Sequence, residues 1–96
     1  MAIGVTAKLT AREGHSDQFE ALFKELQDEV NAQEPGCLFY AVHKSRSNPL
    51  EYIVLEQYQD QQAAEAHQKA EYYRRIGAQL GEHVTGAPVI ELFDSI

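Results

Sequence analysis

The 96-residue chain has one cysteine, Cys37, no tryptophan, one methionine and three prolines. A single cysteine excludes an intramolecular disulfide. No apolar run approaches the ~20 residues of a membrane-spanning helix. Met1 leads straight into a strand-like segment without the pattern of a signal peptide. Positive charge is also scarce, with 8 basic residues against 15 acidic ones and a formal net charge of −7. A nucleic-acid binder needs a basic footprint to displace counterions from phosphates. The densest basic cluster here is Arg74-Arg75 with Lys69 nearby, so neither nucleic acid nor an anionic membrane is an expected partner. The chain also has no glycine-rich dinucleotide fingerprint, no phosphate-binding loop, no Cys-x-x-Cys and no His-Glu-x-x-His. An enzyme built from it is expected to work without a nucleotide or a tightly bound metal, in a reducing, cytoplasmic setting.

What is present is ordinary in bulk and ordered in detail. Apolar residues make up 44% and charged residues 24% of the chain, as in a soluble globular protein. The length suits one domain over residues 1–96. Ile3, Val5, Ala7 and Leu9 alternate with polar or small residues, the period of a strand with one buried face. Arg12-Glu13-Gly14 is a turn, and Ser16 is placed to cap a following helix. Phe19, Leu22, Phe23, Leu26 and Val30 recur at helical spacing. Glu34-Pro35-Gly36 ends that helix, since proline cannot continue it. Cys37 to Ser45 and Glu51 to Tyr58 read as strands around the polar loop Arg46-Ser47-Asn48-Pro49. Leu38, Tyr40 and Val42 share one strand face, and Tyr52, Val54, Glu56 and Tyr58 share another.

Asp60 can cap the next helix, whose stripe is Ala63, Ala66, His67 and Ala70. The helical pattern restarts with Tyr73, Ile76, Gly77, Leu80 and Val84. Gly86-Ala87-Pro88 closes it, and Val89 to Phe93 is the last strand. The order is β-α-β-β-α-β, a ferredoxin-like α+β fold with one antiparallel sheet. Helices on one face leave the other bare, and a small chain buries only about two-thirds of its unfolded surface. A second copy of the chain is the simplest cover, so a homodimer is expected.

The chemistry narrows to a few side chains. His67 sits among alanines, and small neighbours leave room for a ligand between helix and sheet. Histidine also moves protons near neutral pH. An isolated histidine is more often a core-edge residue bonded to backbone. On the catalytic reading, His67→Ala is expected to leave stability nearly intact, because its stripe is already alanine. Glu56 lies mid-strand, where a carboxylate is costly unless solvated or paired; it can orient His67 or accept a proton, or face solvent or a subunit interface. Tyr40, Tyr52, Tyr58 and Tyr72 are the candidate ring-binding residues, with Tyr73 as the fifth tyrosine. Strand propensity and packing account for at least half of these five. His67 and Glu71, one turn apart, make only two ligands of a metal site. Glu82 and His83 suit a helix end. Nothing argues for an activated thiol at Cys37.

Glu34-Pro35-Gly36-Cys37-Leu38 followed by Tyr40, then Glu56-x-Tyr58 with Asp60, Ala64 and His67, resembles the antibiotic biosynthesis monooxygenase family of dimeric α+β barrels. The likeness runs from Ala7 to Glu91 and is closest to small bacterial proteins assigned as quinol monooxygenases. It implies a homodimer with sheets packed face to face and a pocket in each subunit. It further implies oxidation of quinols or polyphenols by molecular oxygen as co-substrate, without flavin or metal, because the phenolate itself supplies electrons to oxygen. His67 would be base or orienting group, Glu56 its partner and the tyrosines a ring clamp. The chain departs from the haem-degrading branch, having no tryptophan and carrying Thr6 and Lys8 on its first strand with no matching asparagine. Two alternatives accompany this reading: a non-catalytic or stress-related ligand-binding dimer, and an isomerase of a small phosphorylated signalling metabolite. For the latter, Arg46, Lys69, Arg74 and Arg75 are the available phosphate contacts.

Overall fold

Strand β1 (Ile3–Thr10) lies inside a four-stranded sheet of order β2-β3-β1-β4, in a computed structural model that describes residues 1–96. Every neighbouring pair is antiparallel. The other strands are β2 (Cys37–Lys44), β3 (Glu51–Tyr58) and β4 (Val89–Asp94), and the helices are α1 (Ser16–Gln33), α2 (Gln61–Lys69) and α3 (Glu71–Leu80). A 3-10 turn at Gly81–His83 follows α3. This is the ferredoxin-like α+β arrangement, with its second helical half divided. Ala70 adopts an extended conformation, φ −64 and ψ 138, between α2 and α3. The restart of the apolar pattern at Tyr73 therefore marks a new helix axis.

Register fixes the faces. Val5 pairs with Glu56, Ala7 with Val54 and Leu9 with Tyr52; Tyr40 pairs with Glu56 and Val42 with Val54. These residues point toward the helices, where Phe19, Phe23, Leu26 and Val30 of α1 and Tyr72, Ile76 and Leu80 of α3 complete the core. Phe19 packs on Tyr52 with ring centroids 4.4 Å apart and on Phe23 at 5.0 Å. The opposite face carries Phe39, Ile53, Val89 and Phe93, all exposed in the single chain.

Local chemistry explains the departures from the periodic pattern. A bulge between Cys37 and Phe39 takes Leu38 out of step, so it is exposed and does not share the buried face of Tyr40. Ser16 is the first residue of α1; His15 stands at the cap position and no side chain caps the helix. Asp60 does cap α2, accepting the Ala63 N–H at 2.8 Å. On α2 the buried positions are Ala64 and His67, rather than Ala63 and Ala66.

The turn after α1 presses closely on α2. A Cβ at Gly36 would lie 2.7 Å from the Cβ of Ala63, nearer than two carbons can pack, so only glycine fits without movement. The Gln59 N–H donates to the Gly36 carbonyl at 2.8 Å and ties the same turn to the end of β3. No helix is long and apolar enough to cross a membrane.

Candidate functional site

Pro35 sets the geometry of the site. The residue before a proline is steered away from helical conformation, and Glu34 leaves α1 with φ −114 and ψ 89. The close turn at Gly36 then holds Glu34 beside α2. Its carboxylate oxygens lie 3.1 and 3.0 Å from Nδ1 of His67, and the Tyr72 hydroxyl donates to the same carboxylate. An ionised carboxylate only accepts hydrogen bonds, so the imidazole proton belongs on Nδ1. His67 is 4% exposed. Its second nitrogen, Nε2, takes no protein partner and is not sealed within the packing.

Three tyrosine rings surround the imidazole: Tyr40 at 5.5 Å, Tyr58 at 5.4 Å and Tyr73 at 4.6 Å between centroids. Glu56 is 8% exposed and accepts the Tyr58 hydroxyl at 2.6 Å. Burial raises the Glu56 carboxyl above its ordinary value, with the charge of Glu34 acting in the same direction; the Tyr58 hydrogen bond and His67 counter it. Burial, reinforced by Glu56, raises the hydroxyls of Tyr40, Tyr58 and Tyr73 as well. At neutral pH they are un-ionised, able to donate. The Tyr40 hydroxyl makes no hydrogen bond within the protein.

His67, Glu56, Tyr40, Tyr58 and Tyr73 line a cavity of about 700 Å³ between sheet and helices. Its walls are largely apolar, with Val5, Ala7, Leu9 and Val54 from the sheet and Phe23 and Leu26 from α1. No helix covers β4, so Ile90 and Leu92 stay exposed and form part of the cavity's open side. The size and lining suit a small apolar or aromatic molecule.

The structure brings His67, Glu56, Tyr40 and Tyr58 together on this cavity and places Tyr52 and Tyr72 outside it. Tyr52 is packed under α1 and donates to Glu20; Tyr72 is turned to the core and Glu34. Tyr73, one residue further along α3, lines the cavity instead. Glu56 is bonded to Tyr58, and the direct partner of His67 is Glu34, which the sequence marks as a helix end and as part of the family-like turn but not as a site residue. The signal was the glutamate placed immediately before Pro35. Glu71 is not paired with His67, because the break at Ala70 separates them; it bonds Arg75 at 3.2 Å. His, Cys, Asp and Glu side chains form no group of three or more that could hold a metal. Cys37 is a free thiol raised to about 11 by burial and by the charges of Glu34 and Glu56, and so is a poor nucleophile. His83 meets His15, Nδ1 to Nδ1 at 2.9 Å, away from this cavity.

A family profile described as antibiotic biosynthesis monooxygenase matches residues 2–79. A crystal structure from Caulobacter crescentus CB15, provisionally assigned as an antibiotic biosynthesis monooxygenase, is 38% identical with a TM-score of 0.96, covering 99% of this chain and 90% of that one. A conserved protein from Methanosarcina mazei Go1 is 27% identical with a TM-score of 0.90, over 97% and 91% of the two chains. Rv0793 from Mycobacterium tuberculosis shares the fold at a TM-score of 0.91 and 22% identity, over 100% and 96%. No protein of curated function matches the sequence.

Proposed function

The chain belongs to the antibiotic biosynthesis monooxygenase family, and on that premise we propose that it is a cofactor-independent monooxygenase oxidising a quinol or polyphenolic aromatic with molecular oxygen. Membership by itself points to a monooxygenase-like or small-molecule-binding function. The observation that carries the finer reading is His67: it is held at Nδ1 by Glu34 while Nε2 has no protein partner, and it lines an apolar cavity.

Nε2 accepts the proton of a substrate hydroxyl. The imidazolium that forms keeps its Nδ1–H on the Glu34 carboxylate, which offsets the new charge. The Tyr40 hydroxyl, un-ionised and without a protein partner, donates to the phenolate oxygen. Apolar walls limit water around that anion. The electron-rich phenolate then reduces oxygen directly. Overall a quinol and O2 give a hydroxylated quinone and water. One oxygen atom enters a ring C–H bond as hydroxyl, and the other leaves as water with the proton held at Nε2. C–H hydroxylation and quinol-to-quinone oxidation each supply two of the four electrons. Glu56 is a positioning residue: it fixes the Tyr58 hydroxyl, and the Tyr58 ring packs on His67.

The exposed apolar residues on the far sheet face, Phe39, Ile53, Val89 and Phe93, support a homodimer joined through that face. One free thiol suits a reducing, cytoplasmic setting.

Oxygen uptake with reduced menadione and a panel of phenols tests the activity. Consumption above autoxidation, lost in His67→Ala per folded molecule, supports it. Rates no faster than autoxidation across the panel overturn it. If a phenol then stabilises the protein and is recovered unchanged, the cavity is a binding site alone.

A further inference from the structure

Helix α3 has two working faces. Tyr72, Ile76 and Leu80 are buried in the core. Arg74, Gly77, Ala78 and Gly81 lie on the cavity, at the i, i+3, i+4, i+7 spacing of a single helical stripe. Glycine inside a helix is costly relative to alanine, yet a Cβ at Gly77 would meet nothing within 4 Å. Packing within the chain therefore gives no reason for that glycine, and the stripe beside Arg74 is left bare. A separate feature points to a ligand in the same space. Tyr40 is 4% exposed, and its hydroxyl is unpartnered on the cavity wall.

Arg74 is the only cation lining the cavity, and it forms no ion pair. Its neighbour Arg75 is held by Glu25 at 3.4 Å and Glu71 at 3.2 Å. Lys8 and Lys44 are likewise paired, with Glu51 and Glu20. Of the two carboxylates lining the cavity, Glu56 is buried and accepts the Tyr58 hydroxyl, and exposed Glu65 makes no ion pair with Arg74. In a chain of net charge −7, an unpaired guanidinium on an apolar cavity is a selective attraction for an anion.

We infer that the cavity takes an aromatic acid, a flat phenol with its hydroxyl at His67 and Tyr40 and a carboxylate at Arg74. The inference rests on the aromatic reading of the cavity given above. A carboxylate matches the planar guanidinium fork in two parallel hydrogen bonds. A single guanidinium balances a monoanion. A phosphate dianion would need further cations, and Lys69, Arg46 and Arg75 do not line the cavity. Gln61 and Gln68 of α2 border the same rim and offer neutral donors.

Calorimetric binding of two redox-stable probes to the full chain tests this without turnover. The probes are 6-hydroxy-2-naphthoic acid, with its two polar groups at opposite ends, and 2-naphthol, which lacks the carboxylate. The acid should bind about tenfold more tightly than 2-naphthol, as one charge-assisted contact allows. Arg74→Gln should equalise the two while leaving 2-naphthol affinity unchanged within about twofold. Arg75→Gln should keep the preference, and Glu65→Gln should increase it. Equal binding of both probes to the unaltered chain, or a preference that survives Arg74→Gln, overturns the acid assignment and leaves the aromatic site standing. Failure of both probes to bind overturns the two together.

Discussion

Glu34 Oε2 lies 3.0 Å from His67 Nδ1, joining residues 33 apart in sequence. The contact makes a helix terminator into the anchor of the one histidine on the cavity. Its consequences are separable by substitution. Glu34→Gln keeps an oxygen to accept the Nδ1–H but cannot offset an imidazolium. It should lower turnover by about 10-fold or more with a small change in melting temperature. Glu34→Ala should lose the same activity and also about 1–3 kcal/mol of stability, because Nδ1 and the Tyr72 hydroxyl are left unpaired. Oxygen uptake and thermal melting on the same samples check both. Equal activity of Glu34→Gln and the unaltered chain would remove Glu34 from the mechanism.

His67→Ala is not the silent change that a stripe of alanines implies. The ring is packed against three tyrosines and bonded to Glu34. Its removal should cost about 1–3 kcal/mol together with ~100-fold or more in turnover. Turnover must therefore be normalised to folded protein. A variant that melts lower yet keeps full activity per folded molecule assigns His67 a purely structural role.

Glu56 carries a stability prediction with a definite sign. Its carboxyl is raised above the ordinary value of 4.5, mainly by burial. The folded protein therefore binds this proton more tightly than the unfolded chain does, and stability falls as pH rises between the two values. Above that window the buried charge is a standing cost. Glu56→Gln, which still accepts the Tyr58 hydroxyl, should raise the melting temperature near pH 7 relative to the unaltered chain. The gain should shrink as the pH falls through the window toward 4.5. Melting curves of the two proteins across pH 4–8 decide it, and a gain that grows on acidification contradicts the burial account.

Gly36→Ala should be damaging although the residue lies in a turn outside the core. The added carbon meets Ala63 at 2.7 Å, and overpacking of this kind costs about 1–3 kcal/mol. Because the turn positions Glu34 against His67, activity per folded molecule should fall as well. Gly36→Ala with Ala63→Gly removes the clash and should recover both.

Association should follow the bare sheet face. Analytical ultracentrifugation at micromolar concentration is expected to give twice the chain mass, and Phe93→Lys with Phe39→Lys is expected to give a monomer. A monomeric unaltered chain would refute the paired-sheet arrangement.

The sequence by itself determined the elements and their buried faces. Period-two and helical repeats are local, each imposed by one face meeting a core, so Ile3 to Leu9, Phe19 to Val30 and Tyr52 to Tyr58 declare themselves without neighbours. It also brought His67, Glu56, Tyr40 and Tyr58 into consideration, because polar residues at apolar positions stand out locally. Tertiary structure decided which groups meet. Glu34 and His67 are joined by the turn that Pro35 and Gly36 force against α2, a contact no periodicity contains. Tyr72 and Tyr73 differ by about 100° around a helix. The break at Ala70 sets the phase of α3 and sends Tyr72 to the core and Tyr73 to the cavity. A one-residue bulge likewise moves Leu38 off the face its alternation assigns. In each case the deciding quantity is the relative placement of two elements, which depends on side chains from both and is written in neither segment alone.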